Sequence, residues 1–125
     1  GDWSSDVCSS DLGRFDDVTE DHICLTPLEA GSNSSDFRQA IERDWTAALT
    51  QHQPDIVLVS AGFDAHREDP LAGCMLEDED YRWITGFIRD RAEQLCGGRV
   101  VSMLEGGYNL DALARCAAIH VETLL

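Results

Sequence analysis

The sequence predicts an α/β fold, with a parallel sheet and flanking helices. The short apolar run Ile56 to Val59, rich in β-branched residues, and the segment Arg99 to Leu104 read as strands. Segments of helical period precede, separate and follow them, the alternation that produces parallel sheets. Both runs also stop at glycine and then present polar side chains, and in open α/β sheets the chemistry gathers at such carboxyl ends.

Taken in order, residues 1–12 stand apart from the rest. They show no sustained period, repeat S-S-D twice and carry three acids with no base. The string resembles a translated sequencing adapter, so the natural sequence is expected to begin near Gly13; the alternative is a genuine acidic tail. Gly13 to Asp21 is polar and irregular, and His22 to Leu25 is a short strand candidate leading into Pro27. Gly31 to Ser35 reads as a loop in which Ser34 or Ser35 caps the next helix. Phe37, Ala40, Ile41, Trp45, Ala48 and Leu49 then recur on one face of a helix over 36–50. Gln51 to Pro54 ends it, and the strand over 55–60 follows, read as covered on both faces.

Past Gly73, the acids Glu77 to Asp80 open a helix carrying Tyr81, Ile84, Phe87, Ile88, Ala92 and Leu95. Arg89 and Arg91 toward its end suit the helix dipole, and Gly97 and Gly98 stop it. The acidic run reads as a favourable first turn rather than a metal site. After the strand 99–104 come Glu105, Gly106, Gly107, Tyr108 and Asn109. A last helix capped by Asn109 is expected to present Leu110, Leu113, Ala114, Ala117, Val121 and Leu124 on one face.

At 125 residues the chain is one domain at most and short for a complete α/β enzyme. Nine basic residues against 24 acidic ones give a net charge of −15, which repels phosphate backbones and anionic lipid and argues against direct nucleic-acid binding. Five dispersed cysteines, at 8, 24, 74, 96 and 116, suit buried free thiols in a reducing compartment better than a disulfide framework or a zinc knuckle. No apolar run approaches membrane-spanning length and no signal peptide is evident, so the expected location is cytoplasmic.

The candidate chemistry lies where the two strands end. Asp64 follows Ser60 by four residues and Tyr108 follows Leu104 by four, so both leave the same edge of two parallel strands. A carboxylate can bind a metal, and a phenol can donate to a developing oxyanion. The bland alternatives are a turn-stabilising aspartate and a core-edge tyrosine. A rival from another class is a non-catalytic binding module, in which Gly106, Gly107 and the last helix's N-terminus cradle an anion.

Ser60 to Leu71 (S-A-G-F-D-A-H-R-E-D-P-L) and Leu104 to Leu110 (L-E-G-G-Y-N-L) resemble the two C-terminal signatures of the histone deacetylase family, which includes acetylpolyamine amidohydrolases and acetoin-utilisation-type deacetylases. The likeness extends through Pro27 to Gly31 and covers residues 22 to 125. It implies the C-terminal portion of a three-layer, arginase/deacetylase-like α/β domain over residues 13–125. It also implies zinc-dependent hydrolysis of an acetyl or other small acyl amide, with acetyl-lysine protein or an acetylated small molecule as substrate. By the same resemblance Asp64 is a zinc ligand, Tyr108 polarises the amide carbonyl, and Leu71 lines the acyl channel, tilting the substrate toward acetyl-lysine or another small acyl amide. Gly106 and Gly107 would let the backbone approach the substrate. The family's Asp-x-His ligand pair and His-His general-base pair are absent from this chain, so the segment alone is expected to be inactive. Asp64-Ala65-His66 also spells Asp-x-His, but in this signature only the aspartate binds zinc; His66 is expected to stabilise the loop or lie exposed. His22, His52 and His120 are expected at the surface or core edge.

Overall fold

A computed structural model describes residues 23–125. The elements run α1 (Ser34–His52), β1 (Val57–Ala61), α2 (Asp78–Cys96), β2 (Val100–Leu104) and α3 (Leu110–Leu124). The two strands are parallel neighbours, paired from Val57 with Val100 to Ala61 with Leu104. The tail over 1–12, the polar stretch 13–21 and His22 lie outside the described residues; Ile23 to Leu25, the rest of the first strand candidate, forms no strand.

Local chemistry sets the helix ends. The N-cap of α1 is Asn33, not a serine: its side chain accepts from the Asp36 N–H (3.0 Å) while the Asp36 carboxylate accepts from the Asn33 N–H (3.1 Å). The Ser34 hydroxyl instead donates to Asp80 on α2, 2.5 Å away. Glu77 and Asp80 form the capping box of α2, Gly97 ends that helix in the left-handed conformation, and Asn109 caps α3 through the Ala112 N–H. Arg89 and Arg91 fall short of the last turn of α2. Arg89 instead donates to the Thr123 carbonyl at the end of α3 (2.8 Å), tying the two helices together.

The core joins Phe37, Ala40 and Ile41 of α1, Ala61 of β1, Tyr81 of α2 and Cys116 of α3 to Phe63, Cys74 and Leu76 in the loops. Two expectations about faces are corrected. The strand 55–60 is covered on one face only: Leu58 is 64% exposed, and Val101 and Met103 beside it are also exposed. An apolar run reads the same whether or not a further layer lies over it. In α3 Leu113 and Ala117 pack against the core as expected, but the fully buried positions are Ala112 and Cys116, whereas Leu110 and Val121 are exposed. Helix α3 lies close against α2, and small side chains permit that approach better than leucines do.

Cys74, almost fully buried, is disulfide-bonded, which corrects the reading of free thiols at that position; Cys24, Cys96 and Cys116 are free. Sequence spacing does not say which sulfurs meet in space. No described helix is long and apolar enough to cross a membrane.

Candidate active site

Both strands of the sheet hand over to loops at the same edge, and those loops are bonded to one another. The parallel ladder continues past the strand ends: the Glu105 N–H donates to the Ala61 carbonyl (2.9 Å) and the Phe63 N–H to the Gly106 carbonyl (2.8 Å). Asp64 and Tyr108 therefore emerge side by side in the topology, from adjacent parallel strands in register. Asp64 is buried, at 5% exposure, while Tyr108 is 48% exposed at the rim.

Beneath this edge lies Tyr81 of α2. Its ring packs against Phe63 (5.1 Å between centroids) and stacks on His66 (6.4 Å, 15°). Burial first, then the neighbouring Cys116 and Asp64, pushes the Tyr81 phenol far up, so it stays neutral. Asp64, buried above this floor, is a carboxylate removed from bulk water, where a cation is a favourable neighbour.

Gly107 has a positive φ of 138°. A Cβ there would stand 3.0 Å from Leu113 Cδ1 and 3.2 Å from the Phe63 Cβ, so close packing of the two loops and α3 demands glycine. Gly106 is buried, its carbonyl engaged by Phe63. Leu71 is 71% exposed on the outer part of the loop.

The loop from Asp64 to Leu76 is held by two residues that sequence reasoning either left unassigned or demoted. Asp69 is buried; its Oδ2 accepts from the Tyr108 N–H (2.7 Å) and its Oδ1 from the Leu71 N–H (2.8 Å). The legible signal was Asp-Pro, a pair that favours a side-chain-closed turn. His66 is buried rather than exposed and stabilises the loop: its Nδ1 accepts from the Glu68 N–H (3.1 Å), so Nε2 carries the proton and donates to Asp78 Oδ1 (2.7 Å). A parallel bridge between His66 and Leu76 closes the same loop.

The histone deacetylase domain family matches residues 11–124 of this sequence. The chain belongs to the histone deacetylase family. It is 44% identical over 103 residues to type-2 histone deacetylase 1 of Dictyostelium discoideum, an alignment covering 82% of this chain and 7% of that protein. With the histone deacetylase-like amidohydrolase of Pseudomonas aeruginosa it shares 37% identity over 98 residues, covering 78% of the chain and 26% of the relative. Among solved structures it superposes on the HDA15 HD domain with a TM-score of 0.71 at 33% identity, covering 81% of this chain and 28% of that one. The chain therefore spans about a quarter or less of these histone deacetylase family proteins, and its α/β fold is theirs.

Two sets of residues bear on a metal in this histone deacetylase family segment. Asp64 supplies one carboxylate at the strand edge, whereas a catalytic zinc takes three protein ligands, so the described residues fit one ligand of such a site. His66, Asp78 and Cys116 form a second group, with one donor atom each within 4.8 Å of one another. Its hydrogen bonds already satisfy it. His66 donates to Asp78 Oδ1, the Cys116 thiol donates to the same oxygen (3.6 Å), and Arg115 donates to Oδ2 (2.9 Å). The Arg115 hydrogen bond leads in holding Asp78 below the usual carboxylate range, while burial and Asp78 push the Cys116 thiol up to about 12. A protonated thiol and an arginine-bound carboxylate make a folding network, not an open metal site.

Among the described residues no histidine is placed as a general base. His66 is bonded through both nitrogens, and so is His120, to Thr85 Oγ1 (2.8 Å) and Ser102 Oγ (2.7 Å). His52 lies exposed in the last turn of α1.

Proposed function

We propose that this chain is the C-terminal part of a zinc-dependent deacetylase domain. In this reading it contributes one metal ligand, Asp64, and the oxyanion donor, Tyr108, to hydrolysis of an acetyl or other small acyl amide. Acetyl-lysine in a protein or an acetylated polyamine is the substrate class. The observation that carries the reading is the edge where two parallel strands in register release both residues into loops bonded to each other. The exposed apolar face of Leu58, Val101 and Met103 supports a longer domain, because it is the surface a further layer would cover.

Zinc held there would polarise the acyl carbonyl and lower the pKa of its bound water. Asp64, buried at the sheet edge, would bring negative charge to the cation. The Tyr108 hydroxyl, at the exposed rim, donates to the carbonyl oxygen as it becomes an oxyanion. Leu71 offers an apolar surface to the methylene stem of the substrate. The remaining ligands and the general base come from outside the described residues.

The anion-binding alternative is opposed by the same geometry. The Tyr108 and Ala112 N–H groups at the start of α3 already have acceptors, and the Tyr108 acceptor is the Asp69 carboxylate, whose charge would repel an incoming anion.

Zinc titration of the 125-residue chain by calorimetry tests the claim that it holds a partial site. We expect no stoichiometric binding at micromolar zinc, because one carboxylate is too few. Micromolar binding abolished by Asp64→Ala would mean that the chain holds further ligands and is not a partial site.

A further inference from the structure

We infer that Asp69 is a positioning residue that couples the oxyanion tyrosine to the acyl channel, an inference that rests on the deacetylase reading for its functional meaning. One buried carboxylate joins the two loops that carry the candidate site. Its Oδ2 accepts from the backbone N–H of Tyr108, 39 residues away in sequence, and its Oδ1 accepts from the N–H of Leu71 two residues on. The Asp69 backbone is itself fixed, its N–H donating to the His66 carbonyl (2.9 Å) and its carbonyl accepting from the Ala72 N–H (3.1 Å). Pro70 stiffens the turn between the two bonded positions. A neighbouring bond, from Asn109 Nδ2 to the Glu68 carbonyl (3.0 Å), runs between the same loops.

The chemistry requires a carboxylate. Two N–H groups converge on its two oxygens at 2.7 and 2.8 Å, and both are charge-assisted bonds made in a site with 6% exposure. An asparagine has one oxygen and would turn an NH₂ toward one of the two donors. The bond within the turn is local and closes with little entropy lost, so the longer-range bond to Tyr108 is the one asparagine gives up. Tyr108 sits on a loop made tight by Gly107, so a shift of its backbone moves the phenol by a similar distance. At a reacting centre a displacement of about 1 Å is enough to lower turnover 100-fold.

The test reads the clamp apart from catalysis. In the 125-residue chain, amide hydrogen exchange by nuclear magnetic resonance is compared for wild type, Asp69→Asn and Asp69→Ala. We expect Asp69→Asn to speed exchange at Tyr108 at least tenfold while Leu71 keeps its protection, and Asp69→Ala to speed both. Unchanged exchange at Tyr108 in Asp69→Asn would overturn the inference, and this variant keeps the test open if Asp69→Ala does not fold. In the longer deacetylase, Asp69→Asn should lower kcat at least tenfold with KM within about twofold. A change in KM alone would overturn the positioning role. A lost clamp in the isolated chain, with turnover of the longer protein indifferent to Asp64 and Tyr108, would instead refute the deacetylase assignment.

Discussion

At the scale of single residues, His120 shows how a polar side chain is made part of a core. Thr85 donates its one hydroxyl proton to the Tyr81 carbonyl (2.7 Å), so toward His120 it can only accept, and His120 Nδ1 carries the proton. Nε2 then accepts from the Ser102 hydroxyl, linking α2, α3 and β2 through one neutral ring that also packs edge-on against Phe63. Burial lowers the His120 pKa below its ordinary 6.5. The unfolded chain therefore binds this proton more tightly than the folded one. The contribution of His120 to stability is full above about pH 6.5 and is lost as pH falls from there through the lowered folded pKa. Urea midpoints should accordingly fall between pH 7.5 and 5.5, and His120→Gln should flatten that fall while costing about 1–3 kcal/mol at pH 7.5. An unchanged slope in the variant would assign the pH dependence to other groups. Sequence left His120 at the surface or the core edge, and its partners lie 35 and 18 residues away, beyond the reach of spacing.

At the scale of elements, the acidic run Glu77 to Asp80 turns out to do more than complement a dipole. Asp80 is almost fully buried and accepts from the Ser34 hydroxyl, the Arg38 guanidinium (3.0 Å) and the Glu77 N–H (2.9 Å), so one carboxylate caps α2 and fastens it to α1. Arg38 is partly exposed and also lies over the Trp83 ring, 5.5 Å from its centroid. Asp80→Ala should cost about 2–4 kcal/mol, the loss of three hydrogen bonds, one of them the bond that caps α2 and one to a charged partner. Ser34→Ala should cost about 1 kcal/mol, because the other two bonds survive. Denaturation followed by circular dichroism measures both, and equal losses in the two variants would contradict this division. The strands and helices were legible because glycine turns and capping residues punctuate them. The face of α3 was legible in part: Leu113 and Ala117 pack against the core as hydropathy suggests, whereas Leu110 and Val121 are exposed and Ala112 and Cys116 are the most deeply buried. The partner residues of Asp69 and Asp80 were equally out of reach, because a carboxylate in a sequence does not announce a donor some 40 residues away.

At the scale of the whole molecule, a segment covering about a quarter of its solved relative keeps the sheet edge and the helices that buttress it. The placement of Asp64 and Tyr108 past the ends of two strands was legible because each follows a strand and a glycine turn. Their common edge follows from the parallel pairing, and Asp69 now bridges their loops. In the reading proposed above, the described residues would supply one ligand, Asp64, and an oxyanion donor, Tyr108, on loops that Asp69 joins. The central claim is that Tyr108 acts in the chemical step of amide hydrolysis. Steady-state kinetics of Tyr108→Phe in the full-length protein of the proposed function tests it most directly. Losing one oxyanion donor should lower kcat about 10²- to 10³-fold and leave KM within about twofold; an unchanged kcat would remove Tyr108 from the mechanism and contradict the assignment.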